Sequence, residues 1–271
     1  MNQRKSLKEL NLLDKFLFDE AMDDPENVKT MLDIILSQNT NLKQSPQTEK
    51  EQRTSTDNRQ IRLDVYAIDE DDVIYEVEAQ KENTHNLPKR SRLYQGIIDS
   101  KLLPPGVVDF NLLNEVLIVL IMPFDLFGYG LYRYTFQMKC EEVPELKLDD
   151  GATRIFLNTR GKHPELVSPE LIELLKYMEH STDEISEACE SKRIQEMHRR
   201  VCQIKASEKA EVKYMQTWEE KILIKQEGER IGLERINRLN QKLIEQGRFD
   251  DLTKATSDSS YQEKLLKEFK I

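Results

Sequence analysis

The sequence predicts an α/β fold with a C-terminal extended helical region. Apolar residues recur at helical spacing over residues 7–36, and a period of two over residues 61–81 predicts a β-hairpin. Residues 116–122 form an unbroken apolar run rich in branched side chains, which is typical of a buried central strand. The order helix, strands, helix, strand describes an α/β sandwich.

The first helical stretch consists of two pieces, because Asp24-Pro25 interrupts it. Pro25 suits the first position of the second helix, and Asp24 suits its N-cap. Residues 38–60 are polar and rich in Gln, Thr, Ser and Glu, which predicts a weak edge strand or a mobile loop.

The hairpin places acidic side chains on one face, with Asp64 on its first strand and Glu76 and Glu78 on its second. The polar turn at residues 69–72 fixes the register. If Ile68 pairs with Ile74, Asp64 lies directly opposite Glu78, where cross-strand Cβ atoms are about 4.5–5.5 Å apart. Like charges repel there, so the face is either left in water or holds a cation. Oxygen ligands of this kind suit Mg²⁺ or Mn²⁺.

The elements after the hairpin have local start and stop signals. Pro88 opens a helix that runs to about residue 100, and Pro104-Pro105-Gly106 ends the segment. Two further strands are predicted at residues 132–139 and 154–157. Ser168 and Pro169 are the cap and first residue of a helix that continues to Glu179.

After Gly161 the sequence predicts helices only. This change predicts a domain boundary, with an α/β domain over residues 1–162 and a helical region over residues 163–271. Residues 183–271 are polar, charge-dense and helix-forming, and they predict an extended arm that ends in a small helical hairpin at residues 246–271. The apolar stripe of this arm is too short and irregular to predict a coiled coil.

Composition excludes several classes of protein. The net charge of −10 argues against a general nucleic-acid coat protein, although a nuclease needs only a local basic surface. Cys140, Cys189 and Cys202 have no C-x-x-C spacing and the four histidines, interpreted as surface residues, do not cluster with them, which argues against a zinc site or a disulfide framework. The absence of an apolar signal core and of a long apolar run predicts a cytoplasmic protein.

An Asp on one strand that faces Glu-x-Gln on the next is similar to the active-site pattern of PD-(D/E)XK nucleases. The surrounding segments resemble one bacterial family of that superfamily, the Rpn recombination-promoting nucleases, which are also labelled transposases. The resemblance covers nearly the full length. Its segments are Asp14-Lys15-Phe16 with Phe18, Arg62-Leu63-Asp64-Val65-Tyr66-Ala67, Tyr75-Glu76-Val77-Glu78-Ala79-Gln80, Leu87-Pro88-Lys89-Arg90-Ser91-Arg92, Tyr94-Gln95, Phe124-Asp125-Leu126-Phe127-Gly128, Asp150-Gly151, Leu157-Asn158-Thr159 and Gln246-Gly247-Arg248-Phe249-Asp250-Asp251-Leu252.

The resemblance implies a restriction-endonuclease-like αβββαβ core, in which two acids and a third polar residue hold divalent metal and a hydrolytic water. Asp64 and Glu78 would be the Mg²⁺ or Mn²⁺ ligands, and Gln80 would complete the catalytic set. Gln80 stands where many relatives have lysine, but an amide can still orient water or bind metal through its oxygen. Glu20 would be a further acid, and Glu76 would replace Glu78 if the register shifted by two.

A basic group follows the hairpin. Lys89, Arg90 and Arg92 lie at the start of a predicted helix, with Gln95 one turn further on, and they are candidate contacts to the DNA backbone. The position of Gln95 resembles the glutamine-tyrosine element that some of these nucleases place beside the metals. The alternative is an ordinary charged helix face.

The leading hypothesis is a metal-dependent DNA endonuclease that hydrolyses phosphodiester bonds, linked by its resemblance to DNA recombination or transposition. The alternative is a catalytically silent interaction module with a nuclease fold, which forms a homodimer or recruits a partner through its C-terminal helices. The acidic net charge and the missing lysine motivate this alternative. Strand transfer and hydrolysis both use carboxylates and Mg²⁺, so residue types do not separate them.

Overall fold

The computed structural model describes residues 4–52 and 61–271 and contains a six-stranded open sheet of mixed direction. The α/β prediction is therefore confirmed. The strands are β1 (Gln47–Gln52), β2 (Ile61–Ile68), β3 (Ile74–Ala79), β4 (Val116–Met122), β5 (Arg133–Phe136) and β6 (Ala152–Asn158). Their order in the sheet is β1-β2-β3-β4-β6-β5.

The helices begin and end close to the predicted signals. They are α1 (Lys15–Met22), α2 (Pro25–Leu36), α3 (Leu87–Asp99), α4 (Pro169–Glu179), α5 (Asp183–Glu187), α6 (Lys192–Lys205), α7 (Glu208–Glu245), α8 (Phe249–Ser257) and α9 (Ser259–Glu268). Both predicted caps are present, because Asp24 accepts a hydrogen bond from the backbone of Glu26 and Ser168 accepts one from Leu171. Among the described helices, none is long and apolar enough to cross a membrane.

The centre of the sheet is parallel and its margins are antiparallel. β4 pairs in parallel with β3 and β6, and α3 provides the crossover between β3 and β4. β4 is buried along nearly its whole length, as its apolar run predicts. β1 is an edge strand within the polar stretch 38–60, and residues 53–60 of that stretch lie outside the described part of the chain.

The chain forms two compact units, Met1–Ala210 and Glu211–Ile271. The first unit extends beyond the predicted boundary at 162/163, because α4 and α6 pack against α2 and α6 also contacts α1. Ile194, Met197 and Val201 of α6 are fully buried, so this helix is part of a core. In the second unit α8 and α9 pack together as the predicted terminal hairpin, around Leu239, Leu243, Ala255 and Leu265.

Asp69 organises the turn that sets the hairpin register. One of its carboxylate oxygens accepts hydrogen bonds from the backbone N–H groups of Asp71 and Val73, at 3.0 and 2.9 Å. The other accepts a hydrogen bond of 2.6 Å from the hydroxyl of Tyr75, which is 1% exposed. The resulting register pairs Ile68 with Ile74, which is the pairing that puts Asp64 opposite Glu78, and the alternative shifted by two residues is wrong.

We expect Asp69→Ala to lower the free energy of unfolding by about 1–3 kcal/mol, because the Tyr75 hydroxyl would stay buried without a partner. Urea denaturation of the full chain measures this change. Tyr75→Phe is the matched background, since it removes the hydroxyl and keeps the ring. If Asp69→Ala lowers the free energy of unfolding equally in the wild type and in Tyr75→Phe, this hydrogen bond is not the cause.

Candidate functional site

Three acidic side chains of β2 and β3 lie together in the interior. The observed register, continued by one residue, places Asp64 opposite Glu78. Asp64, Glu76 and Glu78 are only 5%, 0% and 7% exposed. The alternative of an acidic face left in water is therefore wrong. The acids are buried because helices cover the hairpin. Tyr94 of α3, for example, is buried close enough to all three carboxyls to interact with them electrostatically.

Cationic side chains from two helices reach these acids. Lys15 of α1 places its Nζ 2.6 Å from Asp64 Oδ1 and 3.0 Å from Asp19 Oδ2. Arg90 of α3 places Nη2 2.6 Å from Glu78 Oε1 and donates a second hydrogen bond of 2.5 Å to Gln80 Oε1. The acids are thus partnered by the protein's own cations, and Gln80 is joined to Glu78 through one guanidinium.

The cations do not balance the acids. Apart from the exposed Glu49, which lies 3.8 Å from Lys15, four carboxyls face two cations, which gives a net charge of −2 when all six groups are ionised. A buried excess of negative charge is costly. It is relieved when the carboxyls take up protons or when a cation binds to them. The members of this acidic cluster are Asp19, Asp64, Glu76 and Glu78, with Lys15 and Arg90.

The pKa values of the cluster are shifted in the direction of proton uptake. Burial raises the pKa of Glu78 to about 7, although Arg90 acts against the shift. Burial also raises the pKa of Asp19 to about 7, opposed by Lys15, and raises that of Asp64. Burial, followed by the charges of Glu78 and Asp64, raises the pKa of Glu76 well above its ordinary value. Folding therefore favours the protonated form of all four carboxyls.

Several oxygens of the cluster are left without a partner. Both carboxyl oxygens of Glu76 and Oε2 of Glu78 are buried and form no hydrogen bond with any described residue. Buried polar atoms are nearly always satisfied, so oxygens of this kind are suited to bind an ion or a water. Unpartnered carboxyl oxygens fit a hard divalent cation such as Mg²⁺ or Mn²⁺.

The spacing of the acids limits how such an ion would be held. Within residues 4–52 and 61–271, three potential His, Cys, Asp or Glu ligand atoms approach within 4.8 Å of one another only at Asp183, His198 and Cys202. Asp64, Glu76 and Glu78 therefore offer a pair of carboxylates at most, and not a compact three-ligand cage.

The four predicted DNA contacts of α3 do not share one surface. Lys89 and Arg92 are exposed, whereas Arg90 turns inward to Glu78. Gln95 is 7% exposed and donates a hydrogen bond of 2.8 Å to Asp99. The helix thus exposes Lys89 and Arg92 to solvent and directs Arg90 and Gln95 toward the interior.

No family model, no curated protein and no solved structure matches the chain. Membership of the Rpn nucleases therefore stays a prediction from the sequence. One of the segments that resemble this family contains Asp125, whose carboxylate accepts hydrogen bonds from three backbone N–H groups and from the Tyr134 hydroxyl. The hydrogen bonds of Asp125 therefore stabilise the loop that contains it.

Sequence reasoning missed Lys15 and Asp19 as members of the acidic cluster. Their signal is a Lys and an Asp four residues apart, which lie on the same side of a helix. The sequence pointed instead to Glu20, one residue later. The pattern could not show that this side of α1 contacts β2, because the contact joins residues 49 positions apart.

The interpretation of the histidines as surface residues is wrong for His198. This side chain is 9% exposed, with the Tyr177 hydroxyl 3.0 Å from Nδ1 and a carboxylate oxygen of Asp183 2.8 Å from Nε2. Cys202 lies one helical turn further along α6, with Sγ 3.3 Å from Nε2. A histidine and a cysteine therefore do cluster, because residues four apart on a helix are neighbours.

Proposed function

We propose that the protein is a metal-dependent DNA endonuclease in which Asp64 and Glu78 hold Mg²⁺ or Mn²⁺. The observation that carries the proposal is the set of buried, unpartnered carboxyl oxygens on Glu76 and Glu78, beside Asp64. A divalent cation would balance the net charge of the acidic cluster and lower the pKa values that burial raises. The hard oxygen ligands favour Mg²⁺ or Mn²⁺ over softer metals.

A divalent ion at this site would polarise the scissile phosphate and lower the pKa of the attacking water. The protein side chains arrange the surroundings. Arg90 fixes both Glu78 and Gln80, so the Gln80 amide is held in place to orient the water. Lys15 places its ammonium 2.6 Å from Asp64, and in this proposal it supplies the positive charge that a lysine at position 80 would provide.

Lys89 and Arg92 are the proposed contacts to the DNA backbone, because both are exposed on the helix that supplies Arg90. Phosphate contacts position a duplex without reading its sequence. In this proposal Arg90 acts as a positioning residue for Glu78 and Gln80, whereas Gln95 bonds to Asp99 and has no assigned role. The order α2-β1-β2-β3-α3-β4 supports the assignment of a restriction-endonuclease-like αβββαβ core. Action on chromosomal or plasmid DNA would place the protein in the cytoplasm.

We expect the full-length protein to nick or linearise supercoiled plasmid with Mg²⁺ or Mn²⁺ alone, without a nucleoside triphosphate. Gel electrophoresis of the plasmid measures cleavage. A chelator in excess over the metal should abolish it, and added metal should restore it. Intact plasmid at all concentrations of both metals, together with no metal binding by calorimetry, would contradict the proposal. Joining of donor ends to a target would instead indicate strand transfer.

A second candidate function is the catalytically silent interaction module. The observation that favours it is the number of large apolar side chains exposed along the 38-residue helix α7, including Leu223, Ile224 and Leu233, which are 63%, 72% and 61% exposed. Exposed apolar surface marks an association site where it is contiguous. A stable homodimer that binds neither Mg²⁺ nor Mn²⁺ would favour this function over the nuclease.

A further inference from the structure

A second group of potential metal ligands lies outside the acidic cluster. His198 and Cys202 are one turn apart on α6, and Asp183 is the first residue of α5. The distances are 2.8 Å from His198 Nε2 to Asp183 Oδ1, 3.3 Å from Nε2 to Cys202 Sγ, and 3.8 Å from Sγ to Oδ1. The three atoms thus form a small triangle, with one imidazole nitrogen, one sulfur and one carboxylate oxygen at its corners.

We propose that Asp183, His198 and Cys202 form a zinc-binding site. With the usual Zn–N, Zn–S and Zn–O bond lengths and tetrahedral angles, the ligand atoms of a zinc ion are about 3.4–3.6 Å apart. The observed triangle brackets that range, so small side-chain movements suffice to admit the ion. A mixed nitrogen, sulfur and oxygen set suits Zn²⁺, whereas Mg²⁺ takes oxygen ligands only.

The surroundings of His198 support the assignment. Its other ring nitrogen, Nδ1, lies 3.0 Å from the hydroxyl of Tyr177, which is fully buried. When zinc occupies Nε2, the ring proton moves to Nδ1, where the Tyr177 oxygen can accept it. Such a partner on the second ring nitrogen fixes the orientation of a metal-bound histidine. The Cys202 thiol proton leaves to solvent when the thiolate binds.

A cavity adjoins the three ligands. A cavity of about 340 Å³ is lined by the three ligands together with Lys8, Ser181 and Lys205. The Lys205 ammonium donates a hydrogen bond of 2.8 Å to the Ser181 carbonyl, so its charge is held at the cavity wall. A site with three protein ligands and an open fourth position admits water or a small anion. The inference does not depend on the nuclease proposal, because the two sites share no residue.

Cobalt binding tests the site, since Co²⁺ substitutes for Zn²⁺ and absorbs in the near ultraviolet through charge transfer only when a thiolate is a ligand. We expect the full-length protein to bind one Co²⁺ with this band and to lose the band when Zn²⁺ is added. Cys202→Ser should abolish the band and weaken Zn²⁺ binding at least 100-fold. Cys140→Ser is the matched control and should leave both unchanged.

Two more variants keep the test decisive. The Asp183 side chain is 84% exposed, so Asp183→Ala should fold normally and still weaken Co²⁺ binding at least tenfold. Asp64→Asn should keep the thiolate band, which separates this site from the acidic cluster. A wild-type protein without a thiolate-to-cobalt band, or a band that survives Cys202→Ser, would overturn the proposal.

Discussion

Asp64→Asn is expected to reduce Mg²⁺-dependent plasmid cleavage at least about 100-fold, because a catalytic metal supplies several kcal/mol and each ~1.4 kcal/mol is a factor of ten in rate. The amide keeps the size of the side chain and removes the anionic ligand. Lys15 keeps Asp19 at 3.0 Å as a partner, so the fold around α1 should persist. Cleavage rates under single-turnover conditions measure the effect.

Calorimetry of the same variant should show weaker Mg²⁺ binding and fewer protons released to the buffer than in the wild type. The reason is that the metal displaces protons from carboxyls whose pKa values are raised by burial. Asp72→Asn is the matched control. It makes the same change on the same hairpin, at a carboxylate that is 57% exposed and ion-paired with Lys43. Undiminished cutting by Asp64→Asn would remove this residue from the site.

Glu76→Met is expected to raise the free energy of unfolding of the metal-free protein at pH 8 by about 1–3 kcal/mol, the cost of a buried polar group without a partner. Glu76 is fully buried, and neither carboxyl oxygen has a described hydrogen-bond partner. A methionine is similar in shape and flexible enough to fill the space beside Tyr66 and Ile118, which are the cross-strand partners of Glu76. Urea denaturation with a chelator present measures the change.

Glu76→Met should also change the pH dependence of stability. A carboxyl whose pKa is raised by folding binds more protons in the folded state than in the unfolded chain once the pH exceeds its unfolded pKa. Stability therefore falls as the pH rises through that interval. For Glu78 the interval runs from 4.5 to about 7, and Glu76 adds a fall that also begins at 4.5, because its pKa lies well above that value. Glu76→Met should flatten this fall.

Glu51→Met provides the control for this prediction, because Glu51 is an exposed acid on the neighbouring strand β1. Its stability change should stay within about 0.5 kcal/mol, as is usual for surface substitutions. A saturating concentration of Mg²⁺ should stabilise the wild type at pH 8 more than it stabilises Glu76→Met. Equal or lower stability of Glu76→Met at pH 8, with an unchanged pH slope, would show that the buried carboxyl is not a source of instability.

The acidic cluster shows how far sequence reasoning reaches in this protein. Alternation along β2 and β3 and the acidic turn between them predicted the pairing of Ile68 with Ile74, and hence the meeting of Asp64 with Glu78. The same pattern left open whether the face is solvated. It is buried, and Arg90, expected to face DNA, contacts Glu78 instead. The exposure of a strand face depends on which helix covers it, which alternation along that strand does not encode.

The sequence by itself determined the local structure: the break at Asp24-Pro25, the start of α4 at Ser168-Pro169, the buried strand β4 and the hairpin register. The signal for each lies in one short segment: the helix break, the cap and the hairpin turn involve residues a few positions apart, and the unbroken apolar run of β4 favours burial on both faces. The tertiary structure decided that α4 and α6 join the first unit, that Lys15 reaches Asp64, and that Asp183 meets His198 and Cys202. These contacts join separate elements, and the packing of their apolar faces determines them.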